Sequence, residues 1–170
     1  EAIYPGSALD VVEIDPAVTR VAYSHLGLPA ASTIRSYNED ARQYLMRARP
    51  SGDYDLILGD AFNDLSVPYH LTTREFSTRV KEFLRPDGLY LVNLIDNYGQ
   101  GSFLKAFAYT LSQVFPYVYI SADGTAWEWA TSTFVIVAAS RPLDMDRFAE
   151  VQRAAGQEPQ AAMETLQAVD

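Results

Sequence analysis

The run Tyr54-Asp55-Leu56-Ile57-Leu58-Gly59-Asp60 constrains the fold of this chain more than any other stretch. Apolar residues fall on both sides of its pleat, the pattern of a strand covered on both faces, as in the sheets of α/β proteins. The spacing predicts a central buried strand over Tyr54 to Gly59 that delivers Asp60 to its carboxyl end. A loop then carries a second acid, Asp64, and a helix opens at Thr72 or Thr73. In an open α/β sheet ligands bind at that end of the strands. Two carboxylates facing a cleft suit a cationic ligand, and one of them can take a proton from an amine. The plainer alternative is that both are ordinary solvated loop acids.

Around this strand, apolar runs alternate with segments of helical period, which is the pattern of βαβ units. Strands are expected at Leu9 to Ile14, Thr33 to Tyr37 and Leu89 to Ile95. Helices are expected from Pro16 to about Leu26, from Asp40 to Arg49, from Thr73 to Leu84 and from Ser102 to Phe115. Their punctuation is Asp15-Pro16 at a start, Gly27 and Pro29 at a stop, and Pro50-Ser51-Gly52 and Pro86-Asp87-Gly88 as turns. Val118 to Ser121 and Thr131 to Ala139, joined through a turn holding Gly124, read as an antiparallel pair at the sheet's edge. A mostly parallel sheet finished by such a hairpin is the order of the Rossmann-like S-adenosylmethionine-dependent transferase fold. The domain is placed at residues 1 to 142, and residues 143 to 170 read as a packed helix followed by a loose tail.

With 170 residues, 48% of them apolar, the chain suffices for one domain with a core. No apolar run approaches the roughly 18 residues that span a membrane, and Glu1-Ala2-Ile3-Tyr4-Pro5 lacks the order of a signal peptide, so a soluble, cytoplasmic protein is expected. The absence of cysteine removes disulfides and thiolate metal sites, and His25 and His70 are too few for a histidine-only site. A net charge of −9 without a basic cluster argues against a nucleic-acid partner. It favours a small cationic one, although acidity also serves solubility alone.

Three acids end successive strands: Glu13 in Val12-Glu13-Ile14-Asp15-Pro16, Asp40 in Asn38-Glu39-Asp40-Ala41-Arg42, and Asp60. A carboxylate after the first strand can accept both hydroxyls of a ribose, and one after the second can accept an exocyclic amine of adenine. Helix capping is the competing account of Asp40, and it is the preferred one for Asp15. Tyr69, Trp127 and Trp129 fall on expected loops, where they could wall a cleft or stack on an alkyl amine by cation–π contact, or simply pack. His70 is left outside the catalytic set.

Taken together, Val12 to Pro16, Asp40-Ala41-Arg42-Gln43-Tyr44-Leu45, Tyr54 to Asp60, His70-Leu71-Thr72-Thr73-Arg74-Glu75-Phe76 and Leu84-Arg85-Pro86-Asp87-Gly88 resemble the polyamine aminopropyltransferases, the spermidine synthase family. The resemblance implies decarboxylated S-adenosylmethionine as co-substrate, with Glu13 at its ribose, Asp40 with Ala41 at its adenine, and Ile14 also among the cofactor-binding residues. It implies Asp60 as general base or amine anchor, Asp64 and Tyr69 as further substrate-binding residues, no metal, and a homodimer. Two departures stand out. The family's paired acids are three apart with a proline after the second, whereas Asp60 and Asp64 are four apart and Leu65 follows. The glycine-rich loop, the first strand and the small N-terminal β-domain would lie before residue 1.

The missing strand belongs between Leu9 to Ile14 and Tyr54 to Gly59, which leaves a slot about 9 to 10 Å wide. The chain is therefore expected to be part of a longer protein, with an upstream domain or membrane segment, unless the gap is filled by a partner or closed by re-pairing. Two other functions stay open: an S-adenosylmethionine-dependent methyltransferase, which shares the ribose and adenine acids, and a non-catalytic domain that keeps the fold.

Overall fold

The computed structural model describes residues 6–61, 67–122, 131–154 and 163–165. The chain divides into two compact units, Glu1–Arg49 and Pro50–Asp170.

The first unit is a βαβα segment: β1 (Asp10–Val12), α1 (Pro16–Ser24), β2 (Arg35–Tyr37) and α2 (Ala41–Arg47). β1 and β2 run parallel, paired Asp10↔Arg35, Val11↔Ser36 and Val12↔Tyr37. Arg35 grips Asp10 across the first of these pairs through both carboxylate oxygens, at 2.5 and 2.8 Å. α1 starts where Asp15 caps it, accepting from the Ala17 amide at 2.7 Å, and where Pro16 supplies a preset φ without losing a needed donor. It ends before Gly27, whose φ of 78° admits a left-handed turn that a side chain would oppose. Against the apolar pattern, β1 and α2 are shorter at both ends, whereas α1 keeps its expected start and β2 its expected end and each is shorter only at the other, the usual fraying of element ends.

The second unit holds the sheet β3 (Tyr54–Gly59), β4 (Leu84–Asn97), β5 (Tyr117–Ala122), β6 (Thr131–Ala139) and β7 (Met163–Thr165), in the order β3-β4-β6-β5-β7. β3 and β4 are parallel, and β6 and β5 return antiparallel, so the parallel start and hairpin finish stand as read from the sequence. α3 (Arg74–Phe83) and α4 (Phe103–Ser112) pack on this sheet. They bury Phe76, Val80 and Phe83 from the one and Leu104, Phe107 and Leu111 from the other. Tyr90, Val92 and Leu94 of β4 and Phe134, Ile136 and Ala138 of β6 are buried with them, alternate residues on one sheet face. Desolvation pushes the Tyr90 hydroxyl well above its ordinary pKa of 10.0. α5 (Met145–Ala154) follows the sheet, its approach held where the Leu143 amide donates to the Tyr119 hydroxyl at 3.1 Å.

Three expectations are corrected here. β3 is an edge strand, paired with β4 alone among the described residues, and Leu56 and Leu58 are 52% and 60% exposed rather than buried. A run apolar on both faces marks a strand built for cover on both, but burial also depends on what pairs with its free edge. Neither β1 nor β3 has re-paired to close the expected gap, since β1 pairs only with β2 among the described residues.

Pro86-Asp87-Gly88 is not a turn between elements. Tyr54 pairs with Leu84 and Leu56 with Leu89, so Arg85 to Gly88 form an excursion within the ladder opposite the single residue Asp55. The tail, expected to be loose, contains β7, which adds to the outer edge of β5 through Tyr119↔Thr165, Ile120↔Glu164 and Ser121↔Met163. β5 would otherwise present unpaired backbone groups there.

Candidate active site

In the first unit, the parallel pairing of β1 with β2 brings the acids that follow both strands to one sheet edge. Glu13 is the first residue past β1, where its amide donates to Tyr37 O at 2.9 Å and extends the ladder by one bond. Its carboxylate folds back to accept from the Asp15 amide at 2.8 Å. Asn38 closes the same corner, donating to Glu13 O at 3.2 Å and to Thr19 Oγ1 at 2.7 Å. Ile14 is 68% exposed, an apolar side chain presented to solvent beside that carboxylate.

Asp40 caps α2 through Oδ1, which accepts from the Gln43 amide at 2.9 Å. The capping account of Asp40 is thus met, and capping leaves a carboxylate more than one lone pair for other partners. Ala41 opens the helix, in the turn whose amides have no carbonyl four residues back to bond. The edge therefore combines two carboxylates, those of Glu13 and Asp40, with the start of a helix.

In the second unit, Asp60 directly follows Gly59, the last residue of β3, and is exposed. Gly59 pairs with Val92, so Asp60 stands opposite Asn93 on the next strand, and the Asn93 Nδ2 donates to Asp60 Oδ1 at 2.9 Å. A carboxylate held by a neutral donor gains a fixed direction. Asn93 Oδ1 is buried and has no hydrogen-bond partner among the described residues. Such an orphan costs about 1 to 3 kcal/mol. The sequence reading missed Asn93. Its signal was present, a lone amide inside the apolar run Leu91-Val92-Asn93-Leu94-Ile95.

Tyr69 lies on a single 3-10 turn, Tyr69–Leu71, and is 83% exposed, with its ring edge-on to His70 at 5.6 Å. Thr72 fixes that turn, its amide and hydroxyl donating to Tyr69 O at 3.1 and 2.9 Å. Thr73 caps α3 through the Phe76 amide at 3.2 Å, as the expected helix start required. Asp64, Gly124, Trp127 and Trp129 lie outside the described residues. No group of three or more potential metal ligands occurs among the described residues, and no helix among them is long and apolar enough to cross a membrane.

No family model matches the chain. A polyamine aminopropyltransferase of Vibrio vulnificus is 41% identical over 92 residues, covering 54% of this chain and 31% of that protein. A probable polyamine aminopropyl transferase of Bifidobacterium longum is 35% identical over 113 residues, covering 66% and 24%. An N-terminal histidine N-methyltransferase of Emericella nidulans is 35% identical over 86 residues, covering 49% and 15%. The chain thus spans a third or less of the length of each of these relatives.

Among solved structures, a probable spermidine synthase from Corynebacterium glutamicum superposes with a TM-score of 0.82 at 24% identity, covering 96% of this chain and 60% of that one. Human methyltransferase-like protein 13, in complex with SAH, superposes with a TM-score of 0.70 at 24% identity, covering 90% and 71%. These likenesses show the S-adenosylmethionine-dependent transferase fold.

Proposed function

From a chain that is a spermidine synthase-like partial domain in sequence and fold, we propose a transferase that moves an aminopropyl group from decarboxylated S-adenosylmethionine to a polyamine such as putrescine. The observation that carries this reading is Asp60, an exposed carboxylate at the carboxyl end of β3, aimed by the amide of Asn93. A parallel strand end with an oriented anion is a place to hold a cationic amine and to receive its proton.

When bound, the co-substrate supplies an electrophilic carbon whose bond to sulfur breaks as the nitrogen bonds to it. This chain's residues do the rest. Glu13 with Ile14, and Asp40 with Ala41, form the adenosyl-binding edge. Asp60 keeps the attacking amine deprotonated and oriented, which supplies catalysis by positioning and proton removal. Asp64 is assigned to the distal part of the amine and Tyr69 to its alkyl stem. The reading extends to one catalytic domain over residues 1 to 142 with a C-terminal appendage, no metal, a homodimer, a cytoplasmic location, and an upstream domain or membrane segment in the parent protein.

Methyl transfer from S-adenosylmethionine is the second reading, supported by the likeness to an N-terminal histidine N-methyltransferase across 49% of the chain. Calorimetry on the protein as encoded in full, with decarboxylated S-adenosylmethionine, S-adenosylmethionine and methylthioadenosine, separates the two. Preference for the decarboxylated compound, with putrescine turnover that Asp60→Asn abolishes, supports aminopropyl transfer. Preference for S-adenosylmethionine selects the second reading, and binding of none of the three would mean a non-catalytic domain.

A further inference from the structure

β5 has the composition of a strand that pairs readily. Tyr117-Val118-Tyr119-Ile120-Ser121-Ala122 holds aromatic and β-branched residues, with no charge and no proline. One of its edges is paired with β6, and the other is covered by β7 alone among the described residues. β7 is three residues long, the short end of strand lengths, and it meets only Tyr119, Ile120 and Ser121. Val118 and Ala122 pair with β6 on one side and lie beyond the β7 ladder on the other. A segment with so few pairs opens more readily than the core strand it is laid on. The entry to α5 is fixed separately, by the bond from the Leu143 amide to the Tyr119 hydroxyl, so β7 can leave while that anchor stays.

The register shows what this edge suits. β7 places Glu164 opposite Ile120, with Thr165 opposite Tyr119 and Met163 opposite Ser121. Cross-strand partners that match in character stabilise a ladder, and an acid opposite an isoleucine is no such match. A second β5, laid antiparallel about a two-fold axis through Ile120, sets Ile120 against Ile120, Val118 against Ala122 and Tyr119 against Ser121. Val118, Ile120 and Ala122 are all buried and alternate along the strand, so the matched apolar positions share one face. That pairing runs from Val118 to Ala122, against three residues for β7. Antiparallel pairing of identical strands is isologous and closes at two copies.

We propose that the outer edge of β5 is a self-association surface that β7 covers within the chain, and that a second copy of this chain pairs with it, β5 to β5, when β7 leaves. β4 and β6 separate β5 from β3, so the pairing forms at the side of the sheet away from Asp60 and leaves the proposed amine site untouched.

The test uses the full-length protein. Met163→Pro together with Thr165→Pro removes ladder donors at two of the three β7 positions. At the lowest concentration of a series, hydrogen exchange should find the β5 amides that face β7 stripped of protection. As concentration rises, sedimentation equilibrium should show the mass climbing to twice that of the wild type and stopping there, while the same amides regain protection. Adding Ser121→Lys puts a charge on the bared edge at a half-buried position, and it should return the mass to the wild-type value. Bare β5 amides with the mass of the wild type at every concentration would overturn the proposal, as would growth past twofold or association that Ser121→Lys leaves unchanged. Amides that stay protected at the lowest concentration without a change of mass would overturn it too, because β7 would then not be what covers the edge.

Discussion

Gly88 tests whether the ladder excursion before β4 is built on close approach. Its φ lies outside the left-handed region, so backbone freedom does not explain the glycine. Space does: an added Cβ would sit 2.8 Å from Tyr54 O, 3.1 Å from Leu84 Cδ2 and 3.2 Å from Arg85 N. The first is a backbone atom of β3's opening pair and cannot swing aside as a side-chain tip would. Overpacking of this kind costs about 1 to 3 kcal/mol, and the lowered entropy of the unfolded chain returns about 0.4 to 1 kcal/mol. The net loss for Gly88→Ala is therefore about 1 kcal/mol, with about 2.5 kcal/mol as its upper end. At a urea dependence of about 2 kcal/mol per molar, the midpoint falls by roughly 0.5 to 1.2 M.

Gly52 is the internal control, because it has φ 64° and only Leu84 O near, at 3.9 Å. There the cost is conformational, about 1 to 2 kcal/mol, and Gly52→Asn should recover much of what Gly52→Ala loses, since asparagine tolerates that region. Gly88→Asn should recover nothing and fall below Gly88→Ala. A Gly88→Ala protein with a urea midpoint at or above the wild type would refute the close-approach argument. The excursion matters to the site because it sets β4's register. A slip of one residue would turn Asn93 to the helix-covered face and away from Asp60.

Asp40 can be divided between its two assigned tasks. Asp40→Ala should lose about 1 kcal/mol of stability with the bond to the Gln43 amide, whereas Asp40→Ser keeps a cap and most of that stability. Both should weaken methylthioadenosine binding in calorimetry by roughly tenfold, the worth of one hydrogen bond. Gly101→Ala should destabilise by about 2 kcal/mol or more in urea melts, because a Cβ there collides with the Asp96 carboxylate that accepts from the Asn97 and Leu104 amides at 2.8 and 2.7 Å.

Tyr90 governs an alkaline limit. Its folded pKa lies above its unfolded value of 10.0, so the unfolded state loses its proton first and stability falls as pH rises past 10. The slope is about 1.4 kcal/mol per pH unit from this one group, and stability curves from pH 9 to 11 should diverge accordingly between wild type and Tyr90→Phe.

Why some of this was legible in the sequence and some was not follows from the range of the interactions involved. β3 and β6 have the bounds read from their apolar runs, Tyr54–Gly59 and Thr131–Ala139, because strand propensity and flanking breakers are local. The caps at Asp15, Asp40 and Thr73 are likewise local, each bonding within three residues. β7 has no such signal. Met163-Glu164-Thr165 is three residues in an Ala, Gln and Glu-rich tail, and it becomes a strand only because β5 offers it a ladder.

Asn93 is the most instructive case. Asp60 was found from its position after an apolar strand, but the residue that aims it lies 33 positions further on and reaches it only through the parallel register. That register depends in turn on the four-residue excursion that looked like a turn. A carboxylate's candidacy can be read from its own neighbours in sequence, whereas its direction exists only once two strands are laid side by side.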